Sequence, residues 1–117
     1  MISFTKTQKG KLGEIKAVEY LRSIGHTILF TNFRNRFGEI DIISFHSGCL
    51  FCLEVKSWKQ SSKISPIEIF NETKKRKMRK LYIFLLKKYP PICHLTVSFG
   101  LVQILEKREV RFYSSLF

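Results

Sequence analysis

Residues 38–56 read GEIDIISFHSGCLFCLEVK. Two apolar, β-branched runs, Glu39–Phe45 and Cys49–Trp58, flank the pair Ser47-Gly48, and this pattern predicts two antiparallel strands joined by a two-residue turn. With His46 facing Cys49, paired positions sum to 95 along the ladder, which sets Asp41 opposite Glu54 and Glu39 opposite Lys56. A slip of one residue would send the two carboxylates to opposite faces.

Like charges directly opposite on neighbouring strands stand ~5 Å apart and repel, so Asp41 against Glu54 destabilises the hairpin unless a cation lies between them. Hard carboxylate oxygens suit Mg²⁺ or Mn²⁺, and Mg²⁺ keeps waters that can attack a phosphate ester. Lys56 follows Glu54 by two residues on the same strand face, placed to orient a water or to neutralise developing phosphorane charge. Asp41 is the only aspartate in the chain. The hairpin alone leaves a second arrangement open, in which Lys56 pairs with Glu39 and the carboxylates splay toward solvent.

Upstream, Leu12, Ile15, Val18, Leu21 and Ile24 recur three apart, predicting an amphipathic helix over 8–24 that stops at Gly25. A short strand, His26–Asn32, and a basic loop, Asn32–Phe37, with Arg34 and Arg36, lead into the hairpin. Downstream, the polar stretch Lys59–Lys63 predicts a loop. Ser65-Pro66-Ile67-Glu68 then predicts a helix start with a capping box, and Asn71 and Thr73 are cap candidates for a restart. That helix runs to Tyr89 and ends at Pro90-Pro91. A strand over Ile92–Leu105 bent near Gly100, a turn at Glu106–Glu109 and a last strand at Val110–Tyr113 complete the order α, β, β, β, α, β, β. The expectation is one α/β domain over 1–117, with helices flanking one mixed sheet.

The 117 residues carry 21 Lys and Arg against nine acidic residues, a formal charge of +12. A field of that sign favours polyanions, nucleic acid first; an even scatter of surface lysines is the bland alternative. Hydrophobic residues at 44%, with eleven Phe, exclude global disorder. The run Lys74, Lys75, Arg76, Lys77 predicts a phosphate-contacting helix, with a solvated face or a lipid-surface helix as alternatives. The apolar Leu81–Leu86 is expected in the core. Three cysteines without a secretory signal predict a reducing cytoplasm, and no stretch is long enough to span a bilayer. Cys49 and Cys52 form a C-x-x-C, but three apart on a strand they point to opposite faces and cannot share a metal. His26, His46 and His94 are isolated in sequence and expected at the surface or in loops.

Gly13-Glu14, Ala17 and Tyr20-Leu21, then Asn32 and Arg34, Gly38-Glu39-Ile40-Asp41, Glu54-Val55-Lys56, Pro66 and Lys74 together resemble the YraN-like family of small bacterial proteins, over nearly the whole chain. That family is similar to PD-(D/E)XK endonucleases and archaeal Holliday-junction resolvases. The resemblance implies a restriction-endonuclease-like fold with Asp41 and Glu54 as metal ligands and Lys56 as catalytic lysine. It also implies Glu14 as a further acidic ligand from the first helix and the Val55 carbonyl as another. Where the family has an Arg-Phe-Asp stretch, this chain departs and reads His94-Leu95-Thr96. The function so implied is a Mg²⁺-dependent endonuclease acting on structured or branched DNA, which would be expected to work as a symmetric homodimer. Its rival is a catalytically idle nucleic-acid-binding module of the same architecture, serving DNA repair or recombination.

Overall fold

The structure, a computed structural model, describes residues 6–58, 65–105 and 109–117, with the side chains of residues 6–9, 58, 66 and 67 left aside. The polar stretch 59–63 and most of the 106–109 turn lie outside the described residues. Five strands form one sheet in the order β1-β2-β3-β4-β5: β1 (Thr27–Asn35), β2 (Gly38–His46), β3 (Cys49–Trp58), β4 (Thr96–Leu105) and β5 (Val110–Tyr113). Neighbours are antiparallel except β3 and β4, which run parallel and are therefore joined by a helical crossover. With α1 (Lys6–Ser23), α2 (Pro66–Ile69) and α3 (Glu72–Lys88), the element order is the α/β arrangement αβββαββ expected from the sequence.

The hairpin register is also the expected one where the strands pair, from His46↔Cys49 through Phe45↔Leu50 to Ile42↔Leu53. Asn71 caps α3, its side chain accepting from the Lys74 amide at 2.8 Å, so the short α2 and long α3 are the interrupted helix that the two cap signals predicted. Pro90-Pro91 ends α3 by opening a 3₁₀ turn, Pro90–His94. That turn absorbs Ile92, so β4 begins at Thr96 and not at Ile92. Strand β1 likewise runs three residues past the expected end, taking Arg34 out of the loop.

Each face of the sheet is covered once. On one side Met78, Leu81 and Leu85 of α3 pack on Ile40, Ile43, Leu50, Cys52, Phe99 and Leu101. On the other, Ala17 and Leu21 of α1 pack on Ile42, Leu53, Val102 and Ile104. The stripe α1 buries is not the one its large apolar residues suggest: Leu12 is 40% and Ile15 54% exposed, while Ala17 and Leu21 are fully buried. Residues three apart precess around a helix, whereas Gly13, Ala17 and Leu21, four apart, stay on one side. The small Gly13 and Ala17 also let α1 lie close to β3, where a Cβ on Gly13 would collide with Ser57 Oγ. Only part of Leu81–Leu86 is core, since Ile83 and Phe84 remain exposed.

No described helix is long and apolar enough to cross a membrane. Cys52 is in the core and Cys49 half-buried, and burial pushes the Cys52 thiol up to about 12, which makes it inert as a nucleophile or ligand. His26 is buried, contrary to expectation: its ring stacks on His46 at 4.7 Å and its Nδ1 lies 2.9 Å from Ser44 Oγ. Sequence separation hid this pair, which the β1–β2 pairing brings together.

Candidate active site

The β1–β2 ladder is irregular at two places, a register shift between Ile28 and Phe30 and a skipped pair further along. In the β1–β2 ladder Phe30↔Ile43, Thr31↔Ile42 and Phe33↔Ile40 pair in one register, and the position where Asn32 would meet Asp41 is skipped. On the other side of β2 the ladder with β3 stops at Ile42↔Leu53, one step before Asp41 would meet Glu54. Asp41 is thus unpaired in both ladders. Residues two apart on a strand normally share a face, yet Ile40 packs with α3 and Ile42 with α1. The strand changes face between Ile40 and Ile42 with no change of register against β1, and this re-aims the Asp41 side chain. Asn32 matches the break from β1: its φ of 53° is left-handed, a conformation Asn tolerates better than most residues.

Freed from the ladder, the Asp41 carboxylate substitutes for the missing backbone acceptor, its Oδ2 accepting from the Val55 amide at 2.8 Å. Glu54, on the adjacent end of β3, is buried, and its Oε1 accepts from Lys74 Nζ at 2.8 Å and lies 3.3 Å from Lys56 Nζ. The expected face-to-face pair has therefore become a side-by-side one. Lys56 pairs with Glu54, and no Glu39–Lys56 ion pair is formed among the described residues.

Asp41 and Glu54 line two adjoining clefts. One, toward α3, is completed by Gly38, Glu39, Asn71, Lys74 and Lys77. The other, toward α1, is completed by Gly10, Glu14, Val55, Lys56 and Ser57. Both lysines serve Glu54, so Asp41 is left with like charge around it. Burial first, and then the charge of Glu54, raise its carboxyl from an ordinary 3.8 to about 7; the Val55 amide opposes this and Glu14 and Glu39 add to it. Carboxyls perturbed by burial and a specific neighbour in a cleft are typical of reactive sites.

Glu14 reaches the same cleft from α1, where Asn32 Nδ2 donates to its Oε2 at 3.1 Å. Asn32 is the residue whose part the sequence reading missed, and the signal was there: an Asn inside a β-rich run is poorly suited to a regular strand. Among the described residues no three His, Cys, Asp or Glu side chains converge as a ready ligand set. The structure brings together Asp41 and Glu54, with Val55 and Lys56 beside them, and holds Glu14 on Asn32 in the same cleft. The donor chemistry fits a hard divalent cation, since oxygens predominate and the Asp41 carboxyl is short of positive charge.

The basic run of α3 does not act as one face. Lys74 and Lys77 line the cleft, whereas Lys75 lies 5.6 Å from the Phe117 ring and 3.5 Å from Glu72 Oε1. Arg79 also turns to Phe117, at 5.2 Å. Arg76 is exposed, and Arg34 and Arg36, on the β1–β2 hairpin, line neither cleft.

These features define a class: an α/β domain with a mixed five-stranded sheet whose broken ladder presents two carboxylates and two lysines between helices. Within it, the chain belongs to the uncharacterised protein family UPF0102, the YraN-like family, whose pattern matches residues 13–112. It is 39% identical over 116 residues to a UPF0102 protein of Leptospira interrogans, covering 99% of this chain and 100% of that one. It is 49% identical over 80 residues to a UPF0102 protein of Persephonella marina, covering 68% and 69% of the two chains. A UPF0102 protein of Thermodesulfovibrio yellowstonii is 39% identical over 107 residues, covering 88% and 90%.

Proposed function

We propose that the chain is a divalent-metal-dependent phosphodiesterase acting on nucleic acid, structured or branched DNA in particular, in the reducing cytoplasm. The observation that carries this reading is the grouping of an undercompensated Asp41 carboxyl with Glu54 where both neighbouring ladders leave Asp41 unpaired, beside Lys56 and Lys74. Asp41, Glu54 and the Val55 carbonyl would hold Mg²⁺ or Mn²⁺, with Glu14 able to join from α1. When bound, such an ion supplies charge to a phosphoryl oxygen and a more acidic water.

The protein's own part is electrostatic and positional. Lys56 is the more exposed of the two lysines, its side chain 41% accessible against 29% for Lys74, and so is the one a phosphate reaches from solvent. Its ammonium neutralises charge building on the phosphate, and released from Glu54 it orients the attacking water. Lys74 holds Glu54 in place while Lys56 does so. The net charge of +12 draws the polyanion to the cleft.

Purified chain is incubated with Mg²⁺ or Mn²⁺ and a panel of linear, flapped and four-way DNA and of RNA. Cleavage by wild type that Asp41→Asn and Lys56→Ala lose is the expected result; no cleavage of any substrate, or equal cleavage by Asp41→Asn, removes the reading. A second reading has its own support, because two ammonium groups already neutralise Glu54 without any metal. As a binding module the chain would hold nucleic acid in a salt-dependent way that survives Asp41→Asn and EDTA, without cutting it.

A further inference from the structure

The β1–β2 turn carries an aromatic side chain that the core does not use. Arg36 and Phe37 form the two-residue turn between Asn35 and Gly38, and Asn35 Oδ1 accepts from the Phe37 amide at 2.8 Å, which fixes the tip. Phe37 is exposed, as are Ile83 and Phe84 of α3, and the three line a shallow depression with Lys80 and Lys87. The Arg36 guanidinium lies 4.9 Å and the Lys80 ammonium 5.6 Å from the Phe37 ring centre. Phe33 at 6.3 Å from Phe84 anchors the hairpin to the helix from below.

This depression lies next to the carboxylate cleft along the same hairpin and helix. Gly38 and Glu39, next to the tip, line that cleft together with Lys77. Lys74, Lys77, Lys80, Phe84 and Lys87 are spaced three or four apart, so they form one stripe down α3. From Lys74, on Glu54, to Lys87 the stripe measures ~20 Å, at ~1.5 Å per residue, the length of a few nucleotides. Cations along a groove with aromatic and apolar side chains between them are the arrangement that binds unpaired strands, in which phosphates meet the charges and bases stack. A duplex keeps its base faces inside its own stack and offers the rings only sugar and phosphate.

Resting on the phosphodiesterase reading, we propose that the tip of the β1–β2 hairpin and the facing stripe of α3 hold an unpaired stretch of nucleic acid as it leaves the carboxylate cleft, one base stacking on Phe37. The site selects substrates with a single-stranded segment beside the bond to be cut. Lys80 and Lys87 hold the flanking phosphates, and Arg36 closes over the ring.

The test is fluorescence anisotropy in EDTA, with labelled oligothymidylate and a duplex of equal length as probes. Phe37→Ala is expected to weaken the unpaired strand about ten-fold while changing the duplex less than about two-fold, and Phe37→Trp to retain binding. Lys80→Ala with Lys87→Ala is expected to reduce the slope of log affinity against log salt for the unpaired strand by roughly one or more. Equal losses on both probes, no loss from Phe37→Ala, or a wild type that binds only duplex or neither probe would overturn the proposal. Because no metal is present, the outcome is separate from cleavage. Phe37-dependent binding by a chain that cuts nothing supports the site and removes the phosphodiesterase, whereas cleavage lost in Asp41→Asn together with Phe37-independent binding does the reverse.

Discussion

Replacing Asp41 by Asn should make the protein more stable at pH 8. The Asp41 carboxyl is raised from 3.8 to about 7 by burial and by Glu54, so the fold favours the protonated acid over the carboxylate. The stability that comes from this preference is complete below about pH 3.8 and is lost as the pH rises through about 7. A rise of that size corresponds to ~4 kcal/mol above pH 7; since Glu54 shares in it, about half, ~2 kcal/mol, is assigned to removing the Asp41 charge alone. Asn keeps an oxygen for the Val55 amide, so the 2.8 Å hydrogen bond survives the exchange. Urea unfolding in EDTA should show a midpoint higher by about 1–2 M at pH 8, with the gain shrinking toward pH 4. Adding Mg²⁺ should stabilise wild type and leave the variant unchanged, by ~2.7 kcal/mol at a hundred-fold excess over the dissociation constant. A variant less stable than wild type at pH 8, or a gain that does not change with pH, refutes the account of Asp41 as an undercompensated charge.

Lys74→Ala strips the nearer ammonium from a buried carboxylate and should lower stability by ~1–3 kcal/mol, more than Lys56→Ala, whose side chain is more exposed; the order of the two urea midpoints decides this. His26 is lowered from 6.5 by burial first and the His46 charge second, so its contribution to stability is complete above about pH 6.5 and is lost as the pH falls below it. The fall in urea midpoint between pH 7.5 and 5.5 should therefore be shallower in His26→Gln than in wild type, whatever the two midpoints are at pH 7.5. Gly100→Ala would drive a Cβ into the Tyr113 carbonyl and to 3.2 Å from Leu53 Cδ2, with backbone on one side that cannot step aside. A loss of ~3 kcal/mol is expected on thermal unfolding, and a melting point unchanged from wild type would show that β4 and β5 can separate there.

What the sequence made legible follows from period and punctuation. Ser47-Gly48 between two alternating runs fixed the hairpin, Asn71 and Pro90 bounded α3, and both strands of the hairpin lie within a residue of where the pattern puts them. The reading failed where side-chain size mattered more than hydrophobicity: close approach to β3 needs Gly13 small, so α1 buries the side bearing Gly13, Ala17 and Leu21 and exposes Leu12 and Ile15. It also failed where partners are brought together only by pairing, as with His26 and His46. In the site, the residue types were legible and their contacts were not. A register argument places Cβ atoms opposite one another on an ideal ladder, and cannot anticipate that the ladder ends one step early or that Lys74 arrives from a helix twenty positions on.

That early ending is what makes the site. Inside a regular ladder, the backbone groups of Asp41 would be paired with one neighbouring strand, and its side chain would point squarely out of one face, out of reach of the Val55 amide. By breaking both ladders at one residue, the fold exchanges backbone pairing for a carboxylate that reaches between strands, and the left-handed Asn32 that breaks β1 also positions Glu14. One irregularity thus sets two acidic side chains at once. Asn32→Val, which favours regular strand, should extend the β1–β2 ladder through Asp41 and release both of them. The measurement is amide hydrogen exchange at Asp41 and Val55: slower exchange at Asp41 with faster exchange at Val55 is expected, and an unchanged pattern would mean that the break originates in β2 and not in Asn32.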